Sequence, residues 1–110
     1  EIVFDKKDRL SRIQLENTIN DYMKENTISR GQLLCILIQV AGLEPINNDQ
    51  GMDYKDIPPD HPLYGIIRRF YREGSLIGFQ GIDFEHNKPV TRAELAYLID
   101  SIFHPWEIMK

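Results

Sequence analysis

A single cysteine, Cys35, stands among 110 residues, so no disulfide can close within the chain and cysteine usage does not decide the redox compartment. Its place inside the apolar run 33–40 predicts a buried small hydrophobe rather than a reactive thiol. No apolar run approaches the ~18 residues of a membrane span, and the N-terminus carries neither the basic nor the apolar region of an export signal. Any targeting segment would therefore lie outside this sequence, and a first residue of Glu rather than Met is what a fragment or a processed piece would have. Positive charge is also scarce. Thirteen Lys and Arg against 17 Asp and Glu leave a formal net charge of -4, which argues against a sequence-independent nucleic-acid binder, because displacing counterions from phosphate needs a positive field.

Catalytic motifs are missing as well. There is no nucleophile–base pair, no phosphate-cradling loop and no Cys/His metal spacing, so an enzyme is not expected and no cofactor is implied. His61, His86 and His104 are scattered and read as surface or capping residues. Asn47-x-Asp49-x-Gly51-x-Asp53 has the oxygen-rich look of a calcium loop, but such a loop needs glycine at its sixth position and a bidentate Glu at its twelfth. This chain has its glycine at the fifth and Pro58 at the twelfth.

What is present is an ordinary globular composition, 42% hydrophobic and 27% charged, enough for one small folded domain with its own core. Helix-start signals punctuate it. Thr91-Arg92-Ala93-Glu94 forms a capping box, the Thr hydroxyl accepting from the N–H of Glu94 while the Glu carboxylate accepts from the N–H of Thr91. Behind it Leu95, Leu98, Ile99, Ile102 and Phe103 recur at helical spacing, predicting a helix over 92–103. Ser29-Arg30-Gly31-Gln32 repeats the pattern before a helix over 30–41, which is apolar almost all round, stops at Gly42 and belongs at the centre of the core. A third box, Ser11-Arg12-Ile13-Gln14, precedes a modest stripe of Ile13, Leu15, Ile19, Tyr22 and Met23, predicting a helix over 11–24 after an extended lead-in at 1–9. A fourth helix, 62–73, is expected to be capped by Asp60 or His61, with Pro62 in its first turn. Leu63, Ile66, Ile67, Phe70 and Tyr71 would form its inner face, Arg68, Arg69, Arg72 and Glu73 its outer one, and Gly74 its end. The connection 43–61 exceeds the usual length and should pack on the body or carry function. The expected fold is all-α: about four helices and a long ordered loop, with 30–41 and 92–103 packed together.

One stretch carries more than local signals. Gly74, Gly78, Phe79, Phe84, Asn87, Pro89, Val90 and Thr91 to Leu95, preceded by Tyr54-Lys55-Asp56-Ile57-Pro58-Pro59-Asp60-His61 and Tyr64-Gly65-Ile66-Ile67, occur in the order and at the spacing of one repeat. This pattern resembles the S-layer homology (SLH) module. The resemblance implies a single SLH-like domain, 1–110, with a degenerate repeat at 11–42 and a nearly complete one at 54–103. Members usually associate three repeats about a pseudo-threefold axis with ligand grooves between them, so 110 residues imply a truncation or a two-repeat variant. The spacing of Ser11-Arg12-Ile13-Gln14 does not match the repeat. Pro62 stands where the family usually has Trp, Gly81-Ile82-Asp83-Phe84 where it has Asp-Gly-Thr-Phe, and Gly31-Gln32 where it has Ala-Glu.

Arg30 and Arg92 each follow a helix cap, at the end of the helix whose dipole is unfavourable to a cation. Either they point to solvent, or they recruit a carboxylate or phosphate through the planar guanidinium fork. The resemblance favours recruitment and implies a non-catalytic module that attaches a larger protein to anionic secondary cell-wall polysaccharide at a bacterial, extracytoplasmic surface. Arg92, Arg30 and Asp56 would supply polar contacts, and the 74–90 loop, with Gly78 and Phe79, would shape the groove. The alternative is an SLH-like scaffold that has lost glycan recognition and docks on neighbouring domains of its parent protein, which the absent Trp favours.

Overall fold

In a computed structural model of the chain, the structure describes residues 9–47, 52, 54–79 and 81–103. Most of the expected lead-in, most of the calcium-like stretch, and His104 and Trp106 lie outside them; Arg9, expected in the lead-in, is already helical. The described residues form α1 (Arg9–Met23), α2 (Arg30–Ala41), α3 (Tyr64–Arg72) and α4 (Arg92–Ile102), with a short 3₁₀ turn at Ile77–Phe79. There is no strand among them, only an isolated antiparallel bridge between Ser29 and Pro89. The all-α class expected from the sequence is the one observed.

Two of the three capping boxes exist. Ser29 and Thr91 both stand in extended backbone, accept from the N–H of Gln32 and Glu94, and receive the reciprocal side-chain acceptor. Gly42 ends α2 in the left-handed region at φ 69°, where a residue with a Cβ is strained. The Ser11 box does not form. Ser11 lies inside α1 and is buried, because the helix is already running by Arg9. The start of α3 is also later than expected: Leu63 takes the cap position without a side-chain bond, and His61 supplies the missing acceptor, its Nδ1 receiving the N–H of Leu63 at 3.0 Å.

Packing crosses the boundary between the two sequence halves. α1 lies mainly on α4 and α2 mainly on α3, while α2 and α4 meet over a smaller area. Leu33, Leu34 and Leu37 of α2, Ile67 and Phe70 of α3, and Leu95, Leu98 and Phe103 at α4 are essentially inaccessible, each burial stabilising by about 1.5–3 kcal/mol. α1 contributes less apolar surface than its stripe implied: Ile19 is buried, but Ile13 and Tyr22 are exposed. It is tied instead by a charged group. Arg12 is buried and donates to the carbonyl of Phe103 at 2.6 Å, at the helix end where a cation is favoured. Arg68, expected on the solvent face, is buried too, its guanidinium 5.7 Å from the centre of the Tyr71 ring.

The long connection packs on the body. Tyr54 and Ile57 enter the core, and the N–H of Ile46 donates to the carbonyl of Gly65 at 3.0 Å. Gly65 is bare because the 45–47 segment lies across it: an added Cβ would collide with the Asn47 amide and stand 3.0 Å from the Pro45 side chain. Ala is the better helix former by roughly 1 kcal/mol. Gly65→Ala is nevertheless expected to lower stability by about 2 kcal/mol in urea unfolding, since overpacking of this kind costs about 1–3 kcal/mol beyond propensity. A variant as stable as the wild type would mean that the segment is not held there.

Candidate functional site

The site is built where the two capped helices start. Antiparallel pairing brings the segment before α4 alongside the start of α2: the N–H of Val90 donates to Ile28, that of Arg30 to Lys88 at 2.9 Å, and that of Gly31 to His86 at 2.8 Å. The first donors of α2 are thus consumed internally, Ser29 taking that of Gln32 at 3.1 Å. An anion has no free N–H groups to bind at that helix end. Gly31 departs from the Ala of the resembled pattern because a Cβ there would meet the Leu63 side chain at 2.8 Å and the His86 carbonyl at 3.3 Å.

Arg30 does recruit a carboxylate, and the carboxylate belongs to α4. One terminal nitrogen donates to Glu94 Oε2 at 2.6 Å and the other to the carbonyl of Phe84 at 2.7 Å. The guanidinium lies 5.0 Å from the centre of the Phe79 ring and 5.9 Å from that of Phe84, and the side chain is only 11% exposed. Its Nε is buried with no partner. Glu94 serves two helices, since its Oε1 also accepts from the Thr91 N–H at 3.1 Å. Burial raises the Glu94 pKa, but the Arg30 hydrogen bond, the Thr91 N–H and the charges of Arg30 and Lys88 outweigh it and hold the carboxyl below the ordinary value.

Asp56 is likewise committed. Its two oxygens accept from the N–H groups of Phe84 and Glu85 at 2.9 and 2.8 Å. Those bonds secure a turn in which Glu85 adopts φ 62°, a left-handed conformation costly for a residue with a side chain. Tyr54, its pKa pushed up to about 12 first by burial and then by nearby Tyr71, stays a neutral donor and holds the carbonyl of Phe79 at 3.0 Å.

Of the residues singled out from the sequence, Arg30, Gly78 and Phe79 line one polar cleft of about 390 Å³ together with Asp83, Glu85 and Lys88. Asp56 stands behind it as a support of the loop. Arg92 is exposed and has no side-chain partner among the described residues. Sequence reasoning missed Lys88, the second task of Glu94, and Tyr97, whose hydroxyl accepts from the Gly78 N–H at 3.3 Å. The first two are invisible in a motif that explains itself locally, and Tyr97 falls between the apolar positions of its helix.

His61 and His86, far apart in sequence, meet edge to face with ring centres 4.7 Å apart. Since Nδ1 of His61 accepts a backbone N–H, its neutral ring keeps the proton on Nε2 and offers no second lone pair, so this pair packs rather than ligates. A second concavity, apolar and about 520 Å³, runs between α1 and α2 and is lined by Ile19, Tyr22, Ile28, Cys35 and Ile36 among others. Cys35 is half-buried in its wall, less enclosed than expected, and burial raises its thiol pKa, which keeps it a poor nucleophile.

The Arg30–Glu94 pair has a pH signature. Because Glu94 titrates lower when folded, its stabilisation is complete above the ordinary value of 4.5 and is lost as pH falls through the folded value. Arg30→Ala should cost about 2–3 kcal/mol at pH 7, the range for a hydrogen-bonded charge whose partner is left behind, and distinctly less at pH 3. Equal losses at both values in urea unfolding would show that the ion pair is not what stabilises the joint. Comparison with family models, curated proteins and solved structures finds no match to this chain, so its function is read from this geometry and from the motif pattern.

Proposed function

We propose that this domain is a non-catalytic attachment module of the SLH type, which binds an acidic glycan of the cell-wall class and holds a larger protein at an extracytoplasmic bacterial surface. The observation that carries the reading is the contrast between two arginines in the same helix-start position. Arg30 is closed into the fold by Glu94 and Phe84, whereas Arg92 is exposed at the first turn of α4 and has no side-chain partner among the described residues. A planar fork at a helix N-terminus is suited to a carboxylate carried on a polymer. The cleft between Gly78 and Lys88 offers hydroxyl acceptors, Asp83 and Glu85, beside a cation, as a sugar bearing both hydroxyl and acidic groups requires. In this reading Arg30, in the cleft wall, and Asp56, behind it, hold the loop, and glycan contact falls to Arg92 and to the Asp83, Glu85 and Lys88 groups of the cleft.

A second reading is favoured by the apolar groove between α1 and α2, where Tyr22 is 56% exposed and Ile36 39% exposed: a scaffold that docks on another protein domain. The two readings part on one experiment. Retention on purified acidic wall polysaccharide should fall about tenfold in Arg92→Ala, with wild-type retention weakening as salt rises, because an exposed ion pair is screened. Unchanged retention in Arg92→Ala would remove the assigned contact, and no retention of the wild type would leave the docking reading alone.

A further inference from the structure

Resting on the glycan reading, we infer that Ile82 is the apolar surface of the cleft, against which the C–H face of a sugar ring of that glycan packs. Ile82 is itself part of the cleft lining, beside Asp83, Glu85 and Lys88. It stands 65% exposed, although Phe84, two residues on, is 1% exposed in the core. Phe79, the other large apolar residue of the lining, is 6% exposed and leaves Ile82 as the open apolar surface there. The wall next to it is bare: beyond the chain neighbours of Gly81, the nearest group to a Cβ added there is the carbonyl of Asp83, at 3.8 Å. Ile77 is exposed to the same degree, 65%, but lies outside the lining.

An isoleucine exposed singly on a surface needs no explanation. What sets Ile82 apart is its place beside three charged side chains in one concavity, since binding sites combine an apolar wall with a few polar groups that fix orientation. A pyranose has the same duality, an apolar C–H face bordered by hydroxyls. With that face on Ile82, the carboxylates of Asp83 and Glu85 accept from hydroxyls, and Lys88 donates to an acid group or a hydroxyl oxygen. The surface is also fixed in advance. The Ile82 carbonyl accepts from the Lys55 N–H at 2.8 Å, Asp56 holds the N–H groups of Phe84 and Glu85, and the Glu85 carbonyl accepts from the Lys88 N–H at 3.0 Å. A β-branched side chain adds stiffness at χ1. Contact therefore forfeits little conformational freedom, and covering the side chain withdraws apolar area from water, a gain that does not depend on charge.

The test is calorimetric titration of the whole chain with purified acidic wall polysaccharide and with its carboxyl-reduced form, at low and at high salt. Ile82→Ser should bind both polymers about fivefold more weakly through the lost apolar contact, and by the same factor at either salt, because such a contact is not screened. Ile82→Val, which removes one methylene, should stay within about twofold of wild type, and Ile77→Ser should bind as wild type does. Thermal unfolding reports whether each variant is folded. In the wild-type protein, nuclear Overhauser contacts between the Ile82 methyl groups and sugar C–H protons must appear whatever the variants' stability. Wild-type binding with those contacts absent, with Ile82→Ser folded and binding normally, or with an equal loss in Ile77→Ser, overturns the Ile82 contact and leaves the glycan reading standing. Failure of the wild type to bind either polymer overturns both.

Discussion

One carboxylate holds the start of α4 and joins it to α2. Glu94 spends Oε1 on the Thr91 N–H and Oε2 on Arg30, so the element that caps its own helix also anchors the neighbouring one. Arg30 at the first turn of α2 faces an unfavourable helix dipole, and the Glu94 charge offsets it. Withdrawing both groups from water carries a desolvation cost, so the net stabilisation is smaller than the short distance implies. What such a pair gives is register: the guanidinium fork fits only when Phe84, Glu94 and the two phenylalanine rings are all in place. Local helix formation and the approach of two helices are thereby made one event.

The loop before α4 inherits its shape from this joint. The Phe84 carbonyl goes to Arg30 and its N–H to Asp56, so that residue is gripped from two sides, while Lys55 donates to the carbonyl of Ile82 at 2.8 Å. Tyr54 pins Phe79 on the far side. With these bonds the left-handed turn at Glu85 persists without a sheet to support it, since surrounding contacts that over-determine a conformation can hold a strained residue. The cleft exists because the loop arches over Arg30 and cannot collapse onto it.

Legibility in the sequence followed range. Capping boxes at Ser29 and Thr91 and the Gly42 stop are set by neighbours within a few residues, and a pattern of residue types contains them; α2, apolar almost all round, is nevertheless buried on one face only and leaves Ile36 39% exposed. The same pattern at Ser11 misled, because a box is only two residue types three apart and says nothing of whether the chain is already helical. For Arg30 the unfavourable dipole points to the right chemistry, a carboxylate in the fork, but not to where that carboxylate comes from. Its source lies 64 residues away, and nothing in a helix-start motif encodes a partner at that separation. Arg12 was hidden for a related reason: a helical wheel places charge outward by default and cannot know of a carbonyl at the end of α4.

The two helix starts differ in charge at one residue. At the third position of α4 stands Glu94, and at the third position of α2 stands Gln32, whose side chain caps Ser29 at 2.8 Å as well as a carboxylate would. It carries no charge. A reciprocal ion pair from Arg92 back to α2 is therefore impossible even where the caps are otherwise alike, and the bridge pairs Ser29 with Pro89, two residues short of Thr91, so the caps do not face each other. One arginine is consumed in joining the helices, and the other stands exposed beside a helix N-terminus with no side-chain partner among the described residues. A cation at that position with no partner among the described residues is mildly unfavourable to the fold, and an external anion would remove that disadvantage on binding, which is the physical reason behind the proposal for Arg92.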